Sequence, residues 1–297
     1  MNLPATSPNG AQYEIVHGAH RAIVTEVGAT LRSYQVNDHD IVASFGEQDP
    51  PTGCQGQHLL PWPNRIRDGR YRWAGTDHQL PITEPERHNA IHGLLNWVPW
   101  QLAELYPSHL RMRTVLRPQP GWPGTLTCDV WYTVNPDGLS VEVCVTNSGS
   151  EEVPFGYAAH PYLSLGCPID GARLSLPFTS YLEVDERLLP LAVRSGQPHR
   201  ADELIGETRY DTAYASPSRD ESGRWQVTIR SAGRWVGLWA DEAFGWVQLY
   251  TPDDRLSLAV EPMTCAADAF NPGPTHDGLI VLAPGEDFRG QWGICSG

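Results

Sequence analysis

Two stretches of this sequence hold a titratable side chain in surroundings that offer it little water. In FGYAAHPYLSLG, residues 155–166, His160 stands directly before Pro161 among aromatic and small residues with no neighbouring charge. A residue before proline is pushed out of the helical region, so His160 must sit on extended backbone, and Gly156, Ala158 and Ala159 leave room above that backbone for a ligand. Burial lowers an imidazole pKa and a nearby carboxylate raises it, so the ring suits proton donation near neutrality; a structural histidine bonded to a carbonyl is the alternative. In LAVEPMTCAADAFN, residues 258–271, Glu261 ends an apolar run and precedes Pro262. A charge there calls for a polar cleft, where it would serve as a general base, or for a salt-bridge partner at a sheet edge.

Two more stretches offer groups that could hold a substrate. In PWPNRIRDGRYRWAG, residues 61–75, Asn64 and Arg65 lie between a proline-broken piece and a turn at Asp68 and Gly69, so the guanidinium either reaches a sugar hydroxyl or lies solvated on a loop. In RHNAIHGLLNWVPW, residues 87–100, His88 and His92 are four apart, but no H-E-x-x-H pattern accompanies them and a metal site is not expected. The His92-Gly93 step suits a bend that points an imidazole into a cleft, or else a histidine satisfied beneath a loop. The sequence has no glycine-rich phosphate loop and no G-x-S-x-G elbow, and its cysteines lack basic neighbours, so no cofactor is expected.

The elements that must position these groups are strands. Apolar residues alternate at Leu126, Cys128, Val130, Tyr132 and Val134, then after NPDG at Leu139, Val141, Val143 and Val145, which reads as a β-hairpin. Further short strand-like runs lie at 22–27, 111–117, 225–230, 235–239, 246–250, 256–260 and 279–284, and one short helix is expected at 200–207. The 28 Gly and 26 Pro break up long helices, while 11 Trp and 11 Tyr suit a protein that packs flat rings on sugars. No linker divides the run, so the expectation is an all-β fold, one large antiparallel β-sandwich domain over 1–297.

A formal charge of −14 argues against nucleic acid and anionic membrane partners. The start of the chain lacks the basic and apolar regions of a signal peptide, and no apolar run reaches bilayer length, so a cytoplasmic location is expected. Six scattered cysteines without a C-x-x-C pair read as reduced thiols, mostly buried.

Taken in order, these pieces resemble the aldose 1-epimerase (galactose mutarotase) family. PNRIRDGRYRWAG, NAIHGLLNWVPW, HPYLSLG, YLEVDERLLP, RYDTAYA, WVQLYTP, AVEPMTCAADAFN and LAPGEDF follow the family's segments from about residue 60 to residue 288. The chain departs from the family pattern at HGLL, at the Leu-Ser of HPYLSL, after Glu261-Pro262 and at PWP before Asn64, all of which alter the cleft wall.

The resemblance implies a galactose-mutarotase-like supersandwich. It implies Glu261 as general base, His160 as general acid, and Arg65, His92 and Asp211 as holders of sugar hydroxyls, with no metal or cofactor. The activity it implies is interconversion of the α and β anomers of a hexose such as glucose or galactose, by ring opening and reclosure, in a monomer or homodimer. The alternatives are an epimerase of hexose phosphates or other modified sugars on the same fold, and a sugar-binding protein without catalysis.

Overall fold

The computed structural model describes residues 7–196 and 201–297. Among these, the regular structure is strand apart from two three-residue 3-10 turns, Ile169–Gly171 and His276–Gly278, and no helix is long and apolar enough to cross a membrane. The hairpin read from alternation is present as Leu126–Asn135 and Gly138–Asn147, paired in full register from Leu126 with Asn147 to Asn135 with Gly138.

Two large antiparallel sheets build the sandwich. The first has nine strands, in the order Gln101–Tyr106, His109–Leu116, Leu126–Asn135, Gly138–Asn147, Asp287–Ser296, Arg234–Ala240, Trp225–Ser231, Arg173–Ser175 and Glu203–Leu204. The second runs Pro190–Ser195, Phe178–Val184, Asp211–Pro217, Trp246–Tyr250, Leu258–Met263, Ala158–Ala159 and His58–Leu59, with Tyr162–Leu163 also paired to Leu258–Met263. One apolar core joins them: Val130, Val143, Leu238 and Ile294 of the first sheet cluster with Val247, Leu249, Leu258 and Val260 of the second. Each such fully buried side chain contributes about 1.5–3 kcal/mol.

The strand pleat then fixes the opposite face of the second sheet. Because successive side chains alternate, burying Val247, Leu249 and Val260 in the core turns Gln248 and Glu261 outward from it, and the two are direct cross-strand partners. Asp211 lies opposite Tyr250 in the neighbouring pair of strands.

Two readings of the sequence need correction. The short helix expected at 200–207 begins on residue 200, outside the described residues, and the remainder contains the strand Glu203–Leu204, paired with Leu174 and Arg173 at the end of the nine-stranded sheet. Sheet pairing there overrides a weak local helix preference. The space expected above His160 is also absent at Gly156: a Cβ on that residue would lie 2.4 Å from the Cys265 sulfur and 3.0 Å from Pro63. Gly156 serves close packing of the chain, not ligand access.

Candidate active site

His160 is held by its backbone at both ends. Its N–H donates to the Gln57 carbonyl at 3.0 Å and its own carbonyl accepts from the Gly56 N–H at 2.9 Å, so the extended conformation that Pro161 enforces is also hydrogen-bonded in place. The ring is fixed too. Tyr162 stacks on it with centroids 5.0 Å apart and an interplanar angle of 18°, and His92 meets it edge-on at 5.6 Å and 82°. The Tyr162 hydroxyl donates to the Gly53 carbonyl at 2.7 Å, which secures the stack from behind.

Glu261 reaches this ring from the adjacent strand. His160 Nε2 and Glu261 Oε1 are 3.2 Å apart, with side chains only 6% and 3% exposed. Burial pushes the Glu261 carboxyl well above the ordinary range; the negative charge of Asp211 adds to this and Arg65 opposes it. Burial also pushes the His160 imidazole down to about 4. Burial thus disfavours both charged forms and shifts the pair toward imidazole and carboxylic acid, one proton transfer away from imidazolium and carboxylate. Among the described residues, none hydrogen-bonds the buried Nδ1 of His160 or that of His92, whose pKa burial drives well below its usual value.

A short antiparallel pair, Arg65–Arg67 with Asn89–Ile91, presents the binding candidates. The His92 N–H donates to the Asn64 carbonyl at 2.9 Å, and both residues have positive φ, +65° and +53°, a conformation that concentrates at functional sites. Gly93 follows at φ +78°, where a Cβ would come within 2.1 Å of the Leu60 carbonyl oxygen, so only glycine completes this bend. Arg65 donates Nε to Glu84 Oε2 at 2.9 Å, Nη2 to Glu84 Oε1 at 2.8 Å and Nη1 to Asn64 Oδ1 at 3.1 Å. A guanidinium carries five N–H groups, so two are left over for a substrate. Gln248 donates to Asp211 Oδ1 at 2.8 Å and lines up that carboxylate.

All five residues singled out from sequence, Arg65, His92, His160, Asp211 and Glu261, line one cleft of about 430 Å³. His88 does not join them; it lies on the outer surface against Asp68, at 3.0 Å. Of the four neighbouring arginines, Arg65 alone lines the cleft: Arg67 pairs with Asp268, Arg70 with Gln79 and Arg72 with Asp77. The sequence reading missed Glu84 and gave no role to Gln248 or Tyr162. Period-two registration of the strand at 246–250 against the one ending in Glu261 would have found Gln248; no local signal marks Glu84. Cys54 also lines the cleft, but burial, with the nearby Glu261 charge, pushes its thiol up to about 12, which suppresses a nucleophilic thiolate.

The two facing antiparallel sheets, with a polar cleft on the outer face of one, share their fold with galactose-mutarotase-like β-sandwich proteins. A galactose mutarotase-like protein from Clostridium acetobutylicum superposes with a TM-score of 0.84 at 16% identity, covering 97% of this chain and 98% of that one. A galactose 1-epimerase from Lactobacillus acidophilus gives 0.78 at 18% identity, covering 96% and 93%. The family model described as aldose 1-epimerase matches residues 11–294, and the chain belongs to that family. It is 33% identical to the uncharacterized protein YihR of Escherichia coli (strain K12) over 304 residues, which covers 97% of this chain and 94% of that protein.

Proposed function

We propose that this protein is an aldose 1-epimerase, an isomerase that interconverts the α and β anomers of a free hexose. The observation that carries the reading is the 3.2 Å contact between His160 and Glu261 at the cleft wall. The C1 hydroxyl and the ring oxygen of an aldose share one carbon, so the base and acid that serve them must themselves be neighbours. A carbohydrate-binding protein without catalysis has no need of such a pair.

In the proposed reaction the Glu261 carboxylate takes the C1 hydroxyl proton while the His160 imidazolium gives a proton to the ring oxygen, and the C1–O5 bond breaks to leave an open-chain aldehyde. Proton transfer across the pair generates this charged form, and a C1 hydroxyl donating to Glu261 stabilises it. Rotation about C1–C2 and reclosure with the roles reversed yields the other anomer. Arg65, His92 and Asp211 would hold hydroxyls so that both transfers stay in line. The chemistry needs no metal or nucleotide.

The experiment is polarimetry of freshly dissolved α-D-glucose and α-D-galactose with the wild type, Glu261→Gln and His160→Asn. Acceleration by the folded wild type, with each variant lowered about 10²–10⁴-fold, is expected. No acceleration of any aldose ends the enzyme reading; full rates in both variants end the assignment of residues. One observation favours a second reading: Arg87, its side chain 38% exposed, stands on the cleft lining beside Arg65, where it would meet an anionic group on a modified hexose. Hexose phosphates therefore belong in the same panel.

A further inference from the structure

His58 lies fully buried and does not line the cleft, yet both nitrogens of its ring are engaged. Nδ1 is 2.7 Å from the Tyr157 hydroxyl and Nε2 is 2.6 Å from the Tyr132 hydroxyl. The directions of these bonds follow from the groups at either end. A carbonyl only accepts, so the Tyr132 hydroxyl commits its single proton to the Ala29 carbonyl, at 2.7 Å, and takes one from His58 Nε2. An indole N–H only donates, so Trp292 Nε1 gives its proton to the Tyr157 oxygen, at 3.2 Å, and Tyr157 gives its own to His58 Nδ1. From Trp292 through Tyr157, His58 and Tyr132 to Ala29, every proton runs the same way, and His58 is the neutral tautomer protonated at Nε2. Burial pushes its pKa down to about 3, which keeps it neutral.

This chain crosses between the sheets at the place where His160 is aimed. Trp292 and Tyr132 stand on strands of the nine-stranded sheet, whereas His58 belongs to His58–Leu59, the two-residue edge of the other sheet. Ala159 is the cross-strand partner of His58, and Tyr157 directly precedes Ala158–Ala159. His160 then faces two residues of the edge segment instead of one, donating to Gln57 and accepting from Gly56, whose φ is +70°. That is a β-bulge with glycine in its left-handed position, a device that re-aims the side chain opposite. The far end of the chain closes on the same bulge. Ala29 lies two residues before Leu31, whose N–H donates to the Gly56 carbonyl at 2.9 Å and whose carbonyl oxygen would lie 2.1 Å from a Cβ on Gly56.

We infer that His58 is a positioning residue for the catalytic pair, tying the edge strand to the facing sheet so that the bulge at Gly56 and Gln57 keeps the His160 ring against Glu261. The inference rests on the mutarotase reading for its kinetic consequence and on the chain of bonds for its structural one. Without the chain the apolar core is retained, but the edge strand loses the side-chain bonds that hold it to the facing sheet. A displacement of reacting groups by about 1 Å costs about 10²-fold in rate.

The test compares the wild type with Tyr132→Phe and Tyr157→Phe, each of which deletes one of the two hydroxyls bonded to His58. The control is Ile229→Ala, which opens a cavity in the same core on a strand two places beyond that of Trp292 in the sheet order. Polarimetric kinetics on α-D-glucose and α-D-galactose are read at a temperature where all the proteins are folded, beside NMR spectra of the same preparations with isotope-labelled histidine. The wild-type spectrum is expected to show His58 protonated at Nε2. Each phenylalanine variant is expected to lower kcat about tenfold or more, with KM within about twofold, and to move the ring resonances of His58 and His160 together. Ile229→Ala is expected to lower Tm while keeping kcat within about twofold and the His160 resonances in place. Unchanged kcat in both phenylalanine variants, or His160 resonances that stay while those of His58 move, overturns the positioning role and leaves the mutarotase reading intact. An equal loss of kcat in Ile229→Ala also overturns it, by assigning the effect to stability in general. A wild type that accelerates no aldose ends the mutarotase reading, and the movement or constancy of the His160 resonances then decides the inference alone.

Discussion

Glu84 is the residue whose loss should reach furthest from its own position. Its carboxylate, 6% exposed, accepts two hydrogen bonds from Arg65, one from Asn89 at 2.9 Å and one from Arg87 at 3.0 Å. Burial works against this charge, yet Arg65, Asn89 and Arg87 together hold the Glu84 carboxyl below its ordinary range. Replacing it in Glu84→Gln removes the charge and turns an amide N–H₂ toward donors. Breaking a buried ion pair by altering one partner costs about 3–5 kcal/mol. Arg87 is partly exposed, so its share is screened, and the glutamine oxygen retains one bond, which places the loss near about 3 kcal/mol. At about 2–4 °C per kcal/mol for a chain of roughly this size, Tm should fall by about 6–12 °C. The kinetic effect is separate. An Arg65 freed from its anchor forfeits a charged hydrogen bond to the sugar, about 1.5–3 kcal/mol, or about 10–100-fold in kcat/KM, carried mainly by KM because the contact is made in ground and transition states alike. Thermal unfolding and polarimetric kinetics on one preparation read both. A Tm within a degree of wild type refutes the role of Glu84 as anchor, and a lowered Tm with unchanged KM refutes Arg65 as a sugar ligand.

Three other outcomes follow from the site. The working form of the catalytic pair carries one proton, so kcat/KM should fall on the acid side near pH 4, where His160 gains a second, and on the alkaline side only well above the ordinary glutamate range; an acid limb at the usual histidine value would contradict the effect of burial. Glu261 has a folded-state pKa above its unfolded one, so its contribution to stability is present below the unfolded value and is lost as pH rises through the folded one. The Tm of Glu261→Gln relative to wild type should therefore climb as pH rises above the ordinary glutamate range toward the raised folded value, and a constant difference would argue against a buried acid. Tyr162→Phe keeps the ring stacked on His160 and loses only the bond to Gly53, so kcat should stay within about threefold, the scale of one weak hydrogen bond. Tyr162→Leu removes the stack and should lower kcat about tenfold and move the acid limb; equal effects from Phe and Leu would assign the residue to the hydroxyl alone.

The strands that were legible were those with clean alternation. The runs at 225–230, 235–239 and 246–250 correspond to Trp225–Ser231, Arg234–Ala240 and Trp246–Tyr250. The ten-residue strand Asp287–Ser296, central to the nine-stranded sheet, was hidden by Gly290 and Gly293. Those glycines are demanded by neighbours no local window contains: a Cβ on Gly293 would lie 2.5 Å from Leu139 O and from the Trp239 ring, and one on Gly290 2.9 Å from Phe244. Three cleft residues carried local marks of a different kind, while Asp211 was pointed to by the family resemblance alone. Pro161 and Pro262 fix the backbone beside His160 and Glu261, and the bend at His92 leaves a glycine in the sequence. Glu84 carries no such mark. Its importance comes from Arg65, nineteen residues away, and is visible only once the pairing of Arg65–Arg67 with Asn89–Ile91 brings the segments together. Gly156 was misread for the same reason, since Cys265 packs on it from more than a hundred residues away in the chain.

Anomer exchange at equilibrium tests the central claim most directly. Saturating the α anomeric proton of glucose or galactose in deuterated buffer and reading the β signal measures ring opening and closure without net reaction. The account predicts saturation transfer that depends on the wild type, no deuterium incorporation at C2, and a loss of about 10²-fold or more in Glu261→Gln. A wild-type spectrum no different from that of the sugar alone, or deuterium appearing at C2 at the exchange rate, would contradict it.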